Sequence, residues 1–175
     1  MSESVILDAE KGEAKVRLGD SYQRTMLIRP EAFVKMLEAL NFLGSAGFTL
    51  FFLIGHEKGR CDVLREAETL RHQGSSFTKR QLLDNIVYQL RVTGWGSPRI
   101  QNYDELRGVL TILMENNPLI IVSETGEKAS GSICHYFRGY WVGAVSEILE
   151  RNVNCLEIKC MNMGDRYCEF KVVPQ

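Results

Sequence analysis

An excess of one charge, an uninterrupted apolar run and a cofactor-binding fingerprint are all missing from this sequence. Its 21 basic and 22 acidic residues leave a formal net charge of −1, so the electrostatic footprint of a nucleic-acid-binding protein is absent. The densest basic patch, Lys79-Arg80 with Arg71 and His72 upstream, reads as a solvated helix face. The longest nearly uncharged stretch, Ala39 to Gly55, is broken by Gly44-Ser45-Ala46-Gly47. It falls short of the ~20 apolar residues of a membrane helix and reads as a buried helix pair. Residues 1 to 15 mix acids and lysines with small residues, unlike a signal peptide. No Gly-x-Gly-x-x-Gly follows a strand, and no Gly-x-x-x-x-Gly-Lys-Ser/Thr run is present, which removes the usual dinucleotide and nucleotide-phosphate sites. The five cysteines are odd in number and crowd toward the C-terminus. That is not a secreted disulfide framework, and a reducing, cytoplasmic setting is expected.

What is there reads as a globular chain. At 175 residues, 45% hydrophobic and 25% charged, it suits one well-buried core. With no repeat or composition break, residues 1–175 are expected to form a single α+β domain. Val5-Ile6-Leu7, Lys15 to Leu18 and Thr25 to Ile28 read as short strands separated by Gly12 and Gly19. Pro30 suits the first turn of a helix carrying Phe33, Met36, Leu37, Leu40 and Leu43. Gly44 and Gly47 link it to a second apolar helix from about Phe48 to Glu57, ending near Gly59. Residues 71 to 78 read as a loop, with Thr78 capping a helix that carries Leu82, Leu83, Ile86, Val87 and Leu90. Gly94-Trp95-Gly96-Ser97-Pro98 stops that helix. Strands are expected at Arg99–Tyr103 and Val109–Glu115, then a turn at Asn116-Asn117-Pro118, an apolar run at Leu119–Ser123 and a surface loop at Glu124–Gly131. A helix from about Cys134 to Arg151 follows, whose Gly139-Tyr140 and Gly143-Ala144 leave room for another backbone to approach. Cys155–Met161 and Tyr167–Val173 form a terminal hairpin turning at Gly164.

The chemistry-bearing residues concentrate in this last third. Cys134, Glu157, Cys160 and Cys168 are three thiols and a carboxylate, a set Zn²⁺ accepts in a closed tetrahedron. The hairpin brings Cys160 opposite Cys168, and the positive end of the helix dipole would favour a thiolate at Cys134. One feature opposes this: residues three apart on a strand face opposite ways, so Glu157 and Cys160 can act together only through a bulge or an early strand end. The alternative is that these cysteines merely fill a core, which would leave Glu157 to find solvent. Cys61 and Cys155 are spares; His135 is a substitute ligand or a polar helix residue, and His56 and His72 have no ligating spacing.

The segment Gly131 to Pro174 resembles the 4-vinyl reductase domain family. The similarity runs through Ile133-Cys134, Gly139-Tyr140, Gly143, Ser146, Glu157-Ile158-Lys159-Cys160, Met163-Gly164-Asp165 and Cys168-Glu169-Phe170. It continues more loosely upstream through Pro30 to Gly59 and Gly94-Trp95-Gly96. The resemblance implies an antiparallel sheet packed on several helices with a zinc-clamped C-terminal hairpin (about residues 131–174), zinc on Cys134, Glu157, Cys160 and Cys168, and a homodimer. Relatives include effector-binding domains of phenol- and xylene-responsive activators, a subunit linked to bacteriochlorophyll vinyl reduction, and folds of trafficking-complex subunits and nitric-oxide-signalling domains. It further implies an apolar pocket for a small aromatic molecule, with Phe48, Phe52, Trp95, Leu113, Tyr136, Tyr140 and Trp141 as candidate lining. The chain departs from the phenol sensors in lacking their His–Trp pair for the phenol hydroxyl, Leu113 standing near where that Trp would fall.

Three roles follow as expectations. The first is a zinc-stabilised sensor of small apolar or aromatic molecules, passing its output through a protein partner because neither an ATPase nor a helix-turn-helix module is expected here. The second is an assembly protein of trafficking-subunit type, dimerising through the first apolar helices, where Gly44-Ser45-Ala46-Gly47 permits close approach. The third is an accessory subunit of a vinyl tetrapyrrole reductase. Independent catalysis is not expected: a four-ligand zinc has no open position, Glu157 breaks an iron–sulfur cysteine pattern, and Glu66/Glu68 and Glu147/Glu150 fall on helix faces read as solvated.

Overall fold

The computed structural model describes residues 5–11, 13–18, 21–120 and 134–175. The chain opens with an antiparallel meander of β1 (Val5–Asp8), β2 (Glu13–Leu18) and β3 (Ser21–Thr25). Its central strand buries Val16, while Val5, Ile6 and Leu7 stay exposed. Pro30 begins α1 (Pro30–Glu38), with Glu31 in the first turn, as the sequence predicts. A 3-10 stretch at Ala39–Leu43 and a left-handed Gly44 (φ 58°) then redirect the chain.

The next helix departs from expectation. It does not end near Gly59; α2 runs from Ser45 to His72, 28 residues. Gly55 and Gly59 are interior positions, each costing about 1 kcal/mol of helix propensity against alanine. Packing explains them. A Cβ on Gly55 would overlap the carbonyl oxygen of Tyr136, and one on Gly59 would overlap that of Tyr140. Reciprocally, a Cβ on Gly139 would overlap the carbonyl of Phe52, and one on Gly143 that of His56. These partners lie on α4 (Cys134–Leu149), so the two helices meet backbone to backbone, as the glycine spacing in α4 predicts. The Gly44–Gly47 segment instead closes on its own preceding turn, where a Cβ on Gly47 would meet the Leu40 carbonyl. No helix among the described residues is long and apolar enough to cross a membrane.

Thr78 caps α3 (Lys79–Val92) through a capping box: Gln81 N–H donates to Thr78 Oγ1 at 3.1 Å, and Thr78 N–H donates to Gln81 Oε1 at 2.8 Å. Leu82, Leu83, Ile86, Val87 and Leu90 are all buried on its inner face. One reading needs correcting here. Glu66 is buried, not solvated; it accepts from Asn85 Nδ2 at 2.8 Å and from Gln89 Nε2, tying α2 to α3. Its neighbour Glu68 is exposed.

The second sheet contains β4 (Ser97–Asp104), β5 (Val109–Glu115), β6 (Val153–Lys159) and β7 (Cys168–Pro174) in the order β4-β5-β7-β6, all antiparallel. Leu110, Ile112 and Met114 of β5, Val153 and Cys155 of β6, and Cys168, Phe170 and Val172 of β7 recur at two-residue spacing and are buried. They pack with α4, whose Tyr136, Phe137, Tyr140 and Trp141 are also buried. The α+β class, with an antiparallel sheet against several helices, is therefore as expected. The end of the Leu119–Ser123 run and the Glu124–Gly131 loop lie outside the described residues.

The backbone contact yields a test. Ordinary overpacking costs about 1–3 kcal/mol, and a clash with backbone has less room to relax. Gly139→Ala should therefore destabilise the chain by about 3 kcal/mol or more, lowering Tm by roughly 6–12 °C. A calorimetric melt indistinguishable from the parent would show that the helices do not approach this closely.

Candidate functional site

Two sites are built on this frame. The first gathers at the open end of the β6–β7 hairpin. Glu157 pairs with Phe170, but Lys159 pairs with Glu169, so the register shifts between them. The strand then stops at Lys159, and Cys160 leads into a 3-10 turn at Met161–Met163. Both the bulge and the early strand end that joint action of Glu157 and Cys160 requires are thus present. Gly164 adopts φ 104° at the tip, a conformation that suits glycine. Asp165 closes the loop, its Oδ2 accepting from Cys160 N–H at 2.9 Å while its own N–H donates to the Cys160 carbonyl at 3.2 Å. Cys134 comes from the first turn of α4 and Cys168 from the start of β7.

One ligating atom from each of Cys134, Glu157, Cys160 and Cys168 lies within 4.8 Å of all the others. Cys134 Sγ and Cys160 Sγ are 3.3 Å apart. Ligands about 2.3 Å from a tetrahedral metal stand about 3.8 Å from one another, so small adjustments would fit one ion. Glu157 Oε1 is buried with no hydrogen-bond partner, a costly state for a carboxylate that a cation would relieve. Met161 N–H and Asn117 Nδ2 donate to Cys168 Sγ at 3.4 and 3.7 Å. A hydrogen bond from Cys134, with those from Met161 and Asn117, holds the Cys168 thiol down at about 7. Cys134, as donor to Cys168 and a buried neighbour of Glu157, is pushed up. Burial, with Glu157 nearby, raises Cys160 to about 11. The set can hold a divalent cation through one thiolate already favoured and two thiols that binding would deprotonate.

The remaining candidates lie elsewhere. Cys155 is buried in the core, where desolvation raises it to about 12. Cys61 is exposed. His135 stacks on Phe48 at 5.6 Å and approaches Arg138 through Nδ1, so it acts as a helix-surface residue. Asn117 and Asp165, which support the thiolates, were read only as turn residues; no spacing marks a residue 51 positions from Cys168 as its hydrogen-bond donor.

The second site is a cleft of about 460 Å³ between the first meander, α1, α2 and α3. Phe33, Trp95 and Tyr136 form its aromatic wall, with Phe33–Trp95 at 5.3 Å, Phe33–Tyr136 at 5.4 Å and Trp95 stacked on Tyr136 at 5.4 Å. A smaller space of about 130 Å³ shares Phe33 and Trp95 and reaches Pro118 and Leu119. Beside the wall runs a polar chain: Tyr140 Oη donates to Asp62 Oδ2 at 2.9 Å, and Asp62 is ion-paired with Lys58. Burial, reinforced by the Asp62 charge, lifts Tyr140 and Tyr136 well above the ordinary phenol range, so both remain neutral.

Of the expected pocket residues, Trp95 and Tyr136 line this cleft together. Tyr140 meets it only through Asp62. Phe52 instead borders an open groove of about 700 Å³ with His56, Arg60 and Glu147. Phe48 is half exposed against His135. Leu113 and Trp141 are buried and border none of these three spaces. Lys58 and Asp62 were missed because the sequence ends the helix near Gly59; their i,i+4 spacing is the signal a longer helix would have exposed.

Residues 120–174 match the model of the vinyl-4-reductase domain family. Over that segment the resemblance to the 4-vinyl reductase family stands. An uncharacterized protein of Methanocaldococcus jannaschii is 44% identical over 41 residues, which is 23% of this chain and 24% of that protein. The chain thus spans about a quarter of that relative. The phenol-responsive sensory domain of the transcription activator PoxR superposes with a TM-score of 0.75, at 16% identity, over 98% of this chain and 85% of that one. A trafficking protein particle complex subunit 3 from Naegleria fowleri, covalently bound to palmitic acid, superposes with a TM-score of 0.56, at 18% identity, over 83% of this chain and 95% of that one. At these identities the likeness is one of fold.

Thiol burial gives this geometry a direct check. Cys61 should react with a disulfide reagent in a single fast phase, since thiol reactivity follows exposure. The other four, all buried, should react only after unfolding. A second fast thiol would contradict the placement of the cluster.

Proposed function

We propose that this chain is a sensory, small-molecule-binding module in which the α1–α2–α3 cleft receives an apolar or aromatic compound. The observation that carries this reading is a 460 Å³ cleft whose aromatic wall meets a hydrogen-bonded polar chain, the usual make-up of a small-ligand site. The fold shared with the PoxR sensory domain supports it. In this reading zinc is the resident cation of Cys134, Glu157, Cys160 and Cys168. It is structural: four protein ligands leave no position for substrate, and the ion would pin the first turn of α4 to the terminal hairpin. The output passes to a protein partner or through a homodimer in a cytoplasmic setting.

A second reading, assembly, has one observation in its favour. Met26, Leu27, Met36 and Phe42 are largely exposed, an apolar surface that a second copy or a partner subunit would cover. The two readings are compatible.

Two measurements decide these points. Cys160→Ser should cut zinc in protein purified without added metal from about one equivalent to a small fraction, and should lower Tm by roughly 10 °C, because a lost structural site costs several kcal/mol. Unchanged metal content and Tm would exclude structural zinc. For the cleft, a saturating aromatic ligand at about 100 times its Kd should add ~2.7 kcal/mol, raising Tm by roughly 5–10 °C. Trp95→Ala should abolish that rise. If no member of a panel of one- and two-ring aromatic compounds shifts the melt, the sensor reading fails.

A further inference from the structure

The cleft is not uniformly apolar. Its charged lining consists of Arg24, Lys58 and Arg65 against a single acid, Asp62. That acid is already engaged, accepting from Tyr140 Oη at 2.9 Å and paired with Lys58. Arg65 has no carboxylate within ion-pair distance among the described residues. Arg24 stands 3.9 Å from Glu13, which pairs more closely with Lys15 at 2.9 Å. One wall of an otherwise apolar and aromatic space therefore carries positive charge in excess.

Lys58 links that charge to the aromatic wall. Its Nζ lies 5.6 Å from the Trp95 ring centre and 5.5 Å from that of Tyr140. The ammonium has three donor protons, and the pair with Asp62 uses one. The two aromatic faces hold the head group in place without consuming a hydrogen bond, so donors remain for a ligand. A cationic ligand is disfavoured by the same arrangement: its place on the Trp95 and Tyr140 faces is taken by the chain's own cation. A neutral ligand would leave the excess charge without a role. Tyr140, held as a neutral donor to Asp62, fixes the carboxylate that orients Lys58, so the cation is positioned before any ligand arrives.

We infer that the cleft selects amphipathic carboxylic acids, with an aromatic or apolar body against Phe33, Trp95 and Tyr136 and the carboxylate received by Lys58, with Arg65 at the mouth. The inference rests on the reading of this cleft as the ligand site and specifies its ligand class. Arg65 is exposed and serves chiefly to attract the anion, a contribution that salt screens. Lys58 is half-buried against the rings, so its contribution persists at high salt.

The test uses matched probes on the full chain: 4-phenylbutyrate and 2-naphthoate against 4-phenylbutanol and 2-naphthol, titrated calorimetrically at low salt and at roughly 0.5 M salt. Each acid should bind at least about tenfold more tightly than its alcohol, a difference of ~1.4 kcal/mol. Lys58→Met should bring the acid down to the alcohol's affinity while the alcohol's affinity stays unchanged. Because Lys58→Met leaves Asp62 without its cation, Arg65→Gln serves as a second variant at an exposed position. It should lose the salt-sensitive part of the preference with no change in Tm. Alcohols that bind as well as acids, or acid binding indifferent to both substitutions, would overturn the charge-selective inference while leaving the cleft as a ligand site. Failure of all four probes to bind would overturn the cleft reading and this inference with it.

Discussion

The contact between α2 and α4 is the constraint on which the rest of the molecule depends. Gly55 and Gly59 face the α4 backbone, and Gly139 and Gly143 face the α2 backbone. Four helical glycines cost about 2–4 kcal/mol in backbone freedom relative to alanine. They permit an approach at which Cα–H groups meet carbonyl oxygens, each contact contributing about 0.5–1 kcal/mol. Side chains on either side of that seam are then free to pack elsewhere. Tyr136, Phe137, Tyr140 and Trp141 all reach the core within six positions, because the seam itself occupies so little width.

Both candidate sites follow from that approach. Cys134 and Tyr136 sit in the same turn of α4: one faces the hairpin thiols, the other the Phe33–Trp95 wall. Tyr140, one turn later, reaches across the seam to Asp62 of α2, a bond between residues 78 positions apart that exists only because the two backbones touch. The metal cluster and the cleft are therefore read from opposite sides of one helix. A cation that fixed Cys134 would fix the register of Tyr136 and Tyr140 as well, through a rigid helix rather than a chain of side chains.

Much of the molecule was legible before folding. The amphipathic spacing of α3 and its Thr78–Gln81 cap are local features whose physics acts within one or two turns, and they appear where the sequence places them. The Cys134–Glu157–Cys160–Cys168 set was legible for a different reason: thiols and a carboxylate at a hairpin tip carry their own chemistry, and even the bulge after Glu157 was required by their spacing. The reading erred where a local rule met a tertiary partner. Glycine as a helix terminator is a statement about isolated helices, and Gly59 sits mid-helix because α4 needs its missing side chain. Glu66 on a helix face looks solvated until α3 brings Asn85 and Gln89 against it.

The linear order of residues by itself determined the element types, the α+β class and the ligand set of the hairpin, since each depends on spacings the backbone imposes within about ten residues. Only the tertiary structure decided which aromatics border open space and which merely fill the core. Trp95 and Tyr136 became walls of a cleft while Trp141 and Leu113 became packing. Likewise Lys58 and Asp62 became the polar partners of Tyr140. The reason is that side chains of one type have the same local preference wherever they occur. Whether one meets a cavity or a neighbour depends on how closely two distant helices can approach.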